Sequence, residues 1–405
     1  MADDHAHDMT WREPAVETVL EIRQSALADQ PTETVEIDAI AGRVLAEPID
    51  AETDVPAHDH ATMDGYAFDA TDDYPLSVVD IEVYPEDDPP SIGAGEAVEI
   101  ATGAPLPPEA NAVLKREEST VEDGQLRGTE TDPGTYTYAQ GNNVTAGERL
   151  FDAGERLSPK EAILLRDLGH ESIPVAERFS AGVVATGTEI HEGTQSDLDS
   201  PMLAGLVRSW GHEATYEGTV PDEYDRVVGT IADVATRHDV VLTTGGTSVG
   251  YKDYVIRALR DLGTVHFHRV RVRPGKPIAL ATLPDHDAVA FAIPGKPIGA
   301  HAITTLVARP FFTGRTDLAA VDAELAVDVG LGPEGFEYAV PVTLSDGTAM
   351  PLGHVDSPLA VYEETFDPSV LSSSTRAARA DGFVLTREDL AAGEPVRVVP
   401  YPVVE

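Results

Sequence analysis

From Ala181 to Phe312 the sequence alternates short apolar runs with longer amphipathic stretches, and this rhythm constrains the chain more than any other feature. "AGVVATG" (181–187), "DVVLTTGG" (239–246), "PIALATL" (277–283) and "AVAFAIPG" (288–295) have the length and apolar content of buried strands. "SPMLAGLVRSWG", "DEYDRVVGTIADVATRH", "DYVIRALRDLG" and "PIGAHAITTLVARPFF" have helical length and spacing, and "EATYEG" and "TVHFHRVRVR" supply two more strands. Alternating strands and helices form an α/β domain with a mainly parallel sheet, here spanning about 180–318. Ligands of such sheets bind outside the carboxyl ends of the strands.

Other patterns flank this region. Residues Pro14 to Gln30 read as a helix, with Val16, Val19, Leu20 and Leu27 near helical spacing. Residues 53–150 are rich in Pro, Gly, Thr and Val and point to a small β module. "RLSPKEAILLRDLGH" is a short helix with Ser158 and Glu161 as a capping box, Pro159 at its first turn and Gly169 as its stop. Beyond 318, "AELAVDVGL", "EYAVPVTL", "GFVLT" and "PVRVVP" read as strands of a last β domain. The fold class expected is multidomain α/β plus β.

The charge is lopsided. Seventy-one acidic side chains face 28 basic ones, a net charge of −43, and lysine occurs only five times. Dense surface carboxylate of this kind keeps a chain soluble in high salt, as in halophile proteins. It argues against a nucleic-acid partner, which needs a basic face. No apolar run spans a bilayer and the first residues are not those of a signal peptide, so a cytoplasmic protein with no membrane partner is expected. Cysteine is absent, which excludes thiolate chemistry and Cys-based zinc sites.

Against that background, "HFHRVRVRPGKP" (266–277) gathers Arg269, Arg271, Arg273 and Lys276 within eight residues. If the segment is a strand, the three arginines share one face, and their guanidiniums repel unless an anion or carboxylates lie between them. In high salt long-range attraction is screened, with a Debye length of about 3 Å at 1 M, so such a cluster acts by direct contact. "IPGKP" (293–297) repeats the device with Pro294 and Lys296. "TGGTSVG" (244–250) offers Gly245, Gly246, Ser248 and Gly250, whose backbone N–H groups suit an oxyanion, though a tight strand-to-helix turn explains them equally. Arg273, Lys276 and Lys296 read as anion ligands, whereas Arg271 reads as a surface ion pair. Glu189, Asp222 and Asp253 fall at or just after strand ends and could bridge Mg²⁺ to phosphate. Helix capping explains Asp222 and Asp253 as well.

"MDGYA", "TGAPLP", "TGTEI", "TTGGTSVGYKDY", "RPGKP" and "IPGKP", in this order, resemble the molybdopterin molybdotransferases of the MoeA and gephyrin type, over nearly the whole chain. The resemblance implies a discontinuous linker domain (1–52 with 146–178), a β-rich module (53–145), an α/β molybdopterin-binding domain (179–320) and a C-terminal β domain (321–405). It implies insertion of molybdate or tungstate into adenylylated molybdopterin with release of AMP, Mg²⁺ assistance, and a homodimer. Molybdoenzymes or an adenylyltransferase are the implied protein partners. Catalytic positions carry over to Asp64, Thr102, Glu189, Asp222 and Asp253, the last three also as metal ligands. Cofactor-binding positions carry over to Arg269, Arg273 and Lys276.

The chain departs from the family pattern at several places. Lys296 stands for an Asn, Gly299 for a Ser, Pro201 for the Asn of "DSN", Pro221 for an Arg, and Thr145 and Arg149 for an Arg and an Asp. These departures motivate a second expectation, a paralogue that binds molybdopterin as a carrier or scaffold without turnover. A related adenylyltransferase is a third, opposed by the "MDGYA" loop and the long flanking regions.

Overall fold

The computed structural model describes residues 9–246 and 254–405, in two compact units. One comprises Thr32–Val175, and the other joins the segment before Pro31 to Ala176–Glu405.

The Thr32–Val175 unit is mostly β. Its largest sheet has six strands, in the order 112–115, 65–68, 96–100, 76–83, 125–128 and 119–122. Ala67, Val98, Ile100 and Val113 are fully buried beneath it. Gly65 is required here by close approach: a Cβ would lie 2.0 Å from the Leu114 carbonyl oxygen of the neighbouring strand. That contact places the preceding residue, Asp64, at the start of an internal strand. Residues 32–36 pair with 172–176 and 49–50 with 149–151 around a separate core containing Leu45, Phe151 and Leu165. The helix after Ser158 runs Glu161–Asp167, and the Glu161 carboxylate accepts bonds from both the N–H and the hydroxyl of Ser158.

The larger unit opens with helix α1 (Arg12–Asp29), close to the predicted span. Its α/β part holds strands β1 (Ser180–Thr186), β2 (Glu213–Val220), β3 (Val240–Thr244), β4 (Thr264–His268), β6 (Ala279–Leu283) and β7 (Ala288–Ile293). The sheet order is β2-β1-β3-β7-β6-β4; the first three pairings are parallel and the last two antiparallel. Helices α2 (Asp199–Ser209), α3 (Tyr224–Ala235), α4 (Tyr254–Leu262) and α5 (Pro297–Ile303) alternate with the strands. Both faces are buried, as a parallel sheet demands. Val183, Leu242 and Phe291 face one core, whereas Val184, Val241 and Ala290 face the other. The order reverses around β1, which places the switch point where β1 and β3 end.

The segment 264–273 is not the single strand expected from its sequence. The central sheet loses the chain after β4, and Arg269 adopts φ +80°. The chain then forms β5 (Val272–Arg273), which pairs in parallel with β8 (Glu337–Ser345) of the C-terminal sheet. Ten extended residues thus serve two sheets, and the three arginines do not share a face. The C-terminal strands 337–345, 348–351, 321–325, 395–400 and 382–386 pair in that order, and the last returns to the first, closing the ring. Tyr338, Val340, Val342 and Val398 fill it.

Gly182 sets how closely α3 approaches the sheet, because a Cβ there would lie 2.3 Å from Val234 Cγ1 and 2.7 Å from His238 Cδ2. Gly182→Ala is therefore expected to destabilise the larger unit by roughly 1–3 kcal/mol through overpacking, read as a lowered Tm in calorimetry.

Candidate functional site

A cavity of about 410 Å³ lies between the α/β part and the C-terminal part of the larger unit. Three loops at strand ends form one side of it. Gly245 and Gly246 follow β3, the Pro274–Lys276 turn follows β5, and Pro294–Lys296 follow β7. The short helix α6 (Pro368–Leu371) and Ser372 form the other side.

Local sequence explains this construction. Gly245 has φ +88°, and a Cβ would sit 2.6 Å from the Thr186 carbonyl oxygen, so the ends of β1 and β3 can meet. The Thr186 hydroxyl donates to the Thr244 carbonyl at 3.0 Å across the same junction. Gly275 has φ +111°, and a Cβ would lie 2.6 Å from the Ile303 side chain. Only glycine lets the "PGK" turn pack against α5. Asp367 caps α6 by accepting from the N–H groups of Ser369 and Val370, a start signal legible in "DPS".

The cations are distributed unevenly around the cavity. Arg273 and Lys276 line it, and Arg273 also stacks over the Phe336 ring at 4.2 Å. No described carboxylate pairs with either of them or with Arg269, whose buried Nε has no hydrogen-bond partner among the described residues. Burial, then the charges of Arg273 and Arg269, hold the Lys276 ammonium below its ordinary pKa. This is an electrostatic field waiting for negative charge. Lys296 also lines the cavity, but its Nζ donates to the Ser369 carbonyl at 2.9 Å. Arg271 is spent elsewhere, donating to the carbonyls of Met9 (3.3 Å) and Gly335 (3.2 Å) and lying over Trp11.

The carboxylates fall in two places. At the ends of β1 and β2, Asp222 accepts from the Thr188 N–H at 3.3 Å while its own N–H donates to the Thr188 hydroxyl at 3.1 Å. Glu189, next in sequence, is exposed. In the Thr32–Val175 unit, Asp64 Oδ1 accepts from both the hydroxyl and the N–H of Thr102, each at 2.7 Å. Those bonds, the hydroxyl first, hold the Asp64 carboxyl below its ordinary pKa. Ser248, Gly250 and Asp253 lie outside the described residues. Among the described residues no three His, Asp or Glu side chains cluster closely enough to hold a metal.

Several residues of the site were not anticipated. Ser369 and Ser372 come from a region read only as strands. Asp199 is buried at the first turn of α2, accepting from the Thr244 hydroxyl at 2.8 Å. Its other oxygen has no hydrogen-bond partner among the described residues, and burial raises its pKa. A Cβ on Gly295 would stand 3.1 Å from Gly245 Cα and 4.0 Å from Asp199 Oδ2, so this carboxyl lies beneath the meeting of two cavity loops.

The departures from the expected pattern are absorbed locally. Pro201 occupies the first turn of α2, where N–H groups have no acceptor within the helix. Arg149 pairs with Asp50 and, at 3.5 Å, with Asp152. A Cβ on Gly299 would meet Ser372 Cβ at 3.6 Å, so a serine hydroxyl stands opposite the position that lacks one.

Two outcomes are expected. Because the folded-state pKa of Asp199 is raised, its contribution is full below the ordinary carboxylate range and is lost as pH rises through the folded value. Asp199→Asn should therefore gain stability relative to the parent as pH rises above the ordinary carboxylate range, seen as a Tm difference that widens with pH. Thr102→Val should move the Asp64 titration up toward the ordinary carboxylate range, measured by carbon NMR of the side-chain carboxyl.

Comparison with known proteins places this geometry. Residues 14–169 match the MoeA N-terminal region (domain I and II), and residues 182–314 match the probable molybdopterin binding domain. A putative molybdopterin biosynthesis protein of Methanocaldococcus jannaschii is 27% identical over 95% of this chain and 96% of its own length. The molybdopterin molybdenumtransferase of Synechococcus elongatus is 31% identical over 74% of this chain and 77% of its own. The crystal structure of a molybdopterin biosynthesis MoeA protein from Pyrococcus horikoshii superposes with a TM-score of 0.73 at 28% identity, covering 97% of this chain and 99% of that one. No described helix is long and apolar enough to cross a membrane. With this sequence similarity, this fold and a glycine-walled cationic cavity at the strand ends, the chain belongs to the MoeA/gephyrin family of molybdopterin molybdenumtransferases.

Proposed function

We propose that this protein binds adenylylated molybdopterin and molybdate (or tungstate), releases AMP, and leaves the metal on the dithiolene. The observation that carries the reading is a set of cations, Arg269, Arg273 and Lys276, with no carboxylate partner among the described residues, beside a cavity of about 410 Å³ in a chain of net charge −43. Every reactant proposed here is anionic. At 4 Å and an effective dielectric of about 20, each added charge pair contributes about 4 kcal/mol of attraction before desolvation.

Arg273 and Lys276 hold the oxyanion end of the ligand, and the Gly245–Gly246 backbone permits its close approach. Asp64, ionised and fixed by Thr102, has the geometry of a carboxylate positioned to orient water or a metal ion. Glu189 and Asp222 present hard oxygen donors at adjacent strand ends, as Mg²⁺ requires, and with Asp253 would hold it. When bound, Mg²⁺ neutralises phosphate charge at the cleaved anhydride. Asp199 keeps the loops under the cavity in place. We also propose that the four-region division (1–52 with 146–178, 53–145, 179–320 and 321–405) and a homodimer hold for this chain, as in the family pattern. The cytoplasm is the proposed compartment.

One observation favours the second reading, a carrier that binds without turnover: Lys296, in place of the family Asn, is engaged by the Ser369 carbonyl. A single assay separates the two. The purified protein is incubated with adenylylated molybdopterin, Mg²⁺ and molybdate or tungstate at high salt, and AMP and metallated cofactor are quantified. The parent should release AMP, and Lys276→Ala should lower kcat/KM by at least about 100-fold, the equivalent of roughly 2.7 kcal/mol. Asp64→Asn should lower kcat with little change in KM. Tight binding with no AMP from the parent protein would establish the carrier instead.

A further inference from the structure

A second cavity, of about 320 Å³, lies on another side of the same helix turn. Leu198, Met202, Pro297, Ile298 and Tyr401 give it apolar walls. Its polar lining comprises Thr375 and the pair His301 Nε2 and Glu405 Oε1, 2.7 Å apart. The Tyr401 ring meets the His301 ring edge-on, with centroids 5.0 Å apart. Its size falls within the range of small-molecule sites, about 300–1,000 Å³.

The two cavities have opposite chemistry. Arg273, Lys276 and Lys296 line the first, and its described lining includes no acidic or aromatic residue. The second has no Lys or Arg among its described lining residues, and its carboxylate would repel a phosphate. They nevertheless flank one short piece of chain: Lys296 and Gly299 face the first, while Pro297, Ile298 and His301 face the second. The Ile298 N–H donates to the Ser372 carbonyl at 3.0 Å, which fixes that turn against the wall of the first cavity. A ligand with a polyanionic part and a neutral ring part would find its two halves matched on either side of this turn.

We propose that the second cavity takes the fused nitrogen heterocycle of the ligand whose anionic part occupies the first. The ring packs between the aliphatic side chains, Met202 and Tyr401, where sulfur and an aromatic edge favour a flat π-system. The Glu405 carboxylate accepts from its N–H donors, with His301 orienting that carboxylate. This rests on the function proposed above, whose substrate carries two such rings, a pterin and an adenine. A 2-amino-4-oxopyrimidine edge presents two adjacent N–H donors to one carboxylate, in the parallel two-bond geometry that makes such pairs strong. Adenine presents an amino group beside an acceptor. The pterin is therefore the ring assigned to this cavity, and Met202 and Glu405 become specificity determinants.

The test titrates the full-length protein with neopterin, followed by its fluorescence, with adenosine as competitor. Molybdate binding is measured separately by calorimetry. Met202→Trp, which fills the cavity, should abolish neopterin binding, and Glu405→Gln, a mild exposed change, should weaken it at least fivefold. Both should leave molybdate affinity within twofold, whereas Lys276→Ala should do the reverse. Neopterin binding unchanged in both cavity variants, or adenosine displacing neopterin at lower concentration than neopterin itself binds, would overturn the assignment. AMP release by the parent protein is read in parallel. Its absence with neopterin binding intact overturns the function reading alone. Its presence with cavity-insensitive neopterin binding overturns this assignment alone.

Discussion

Positive charge that no described carboxylate neutralises is what the site is built around. Buried or crowded cations cost free energy, and proteins ordinarily pair them. This chain has an excess of carboxylates with which to do so, and elsewhere it does: Arg12, Arg116, Arg149 and Arg237 are all in ion pairs. Among the described residues around the cavity, Arg273 and Lys276 are in no such pair. Lys276 is left with two guanidiniums as its electrostatic neighbours, and Arg269 with a buried nitrogen that no described group accepts from. Such an arrangement is stable enough to persist only because the surrounding fold fixes it, and it is relieved when an anion enters.

The fold does this by ending strands of two sheets at one place. Gly245, Gly275 and Gly295 remove side chains where backbones must touch, and the resulting loops carry their N–H groups and cations to a common centre. Asp199 sits underneath, where burial raises its pKa and its carboxyl accepts from the Thr244 hydroxyl. The extreme surface charge is a separate matter. A net charge of this size keeps a chain soluble and says nothing of the fold.

The alternation of apolar strands and amphipathic helices made the α/β part legible residue by residue, because burial on both faces leaves runs of Val, Ile, Leu and Ala that little else explains. The glycine and "PGK" loops were legible for the same reason, as punctuation at strand ends. The cluster of basic residues was readable as a signal for an anion but not in its geometry. Alternation from 264 to 273 looked like one strand, since local pattern carries no information about which sheet each half joins. The partner of β5 is β8, more than sixty residues away. Ser369, Ser372 and Asp199 were missed because their roles depend on which distant segments face the cavity.

What the sequence determined alone was the family and the strand-helix order, because these follow from local apolar periodicity and short motifs, and its charge composition raised the expectation of an anionic ligand. What only the tertiary structure decided was which cations have a partner among the described residues. Arg271 was consumed by backbone carbonyls and Trp11, Lys296 was engaged by the Ser369 carbonyl, and Arg273 and Lys276 were left facing the cavity. That division could not be read from adjacency in the chain, because whether a charge is paired depends on long-range contacts that exist only once both sheets have closed around it.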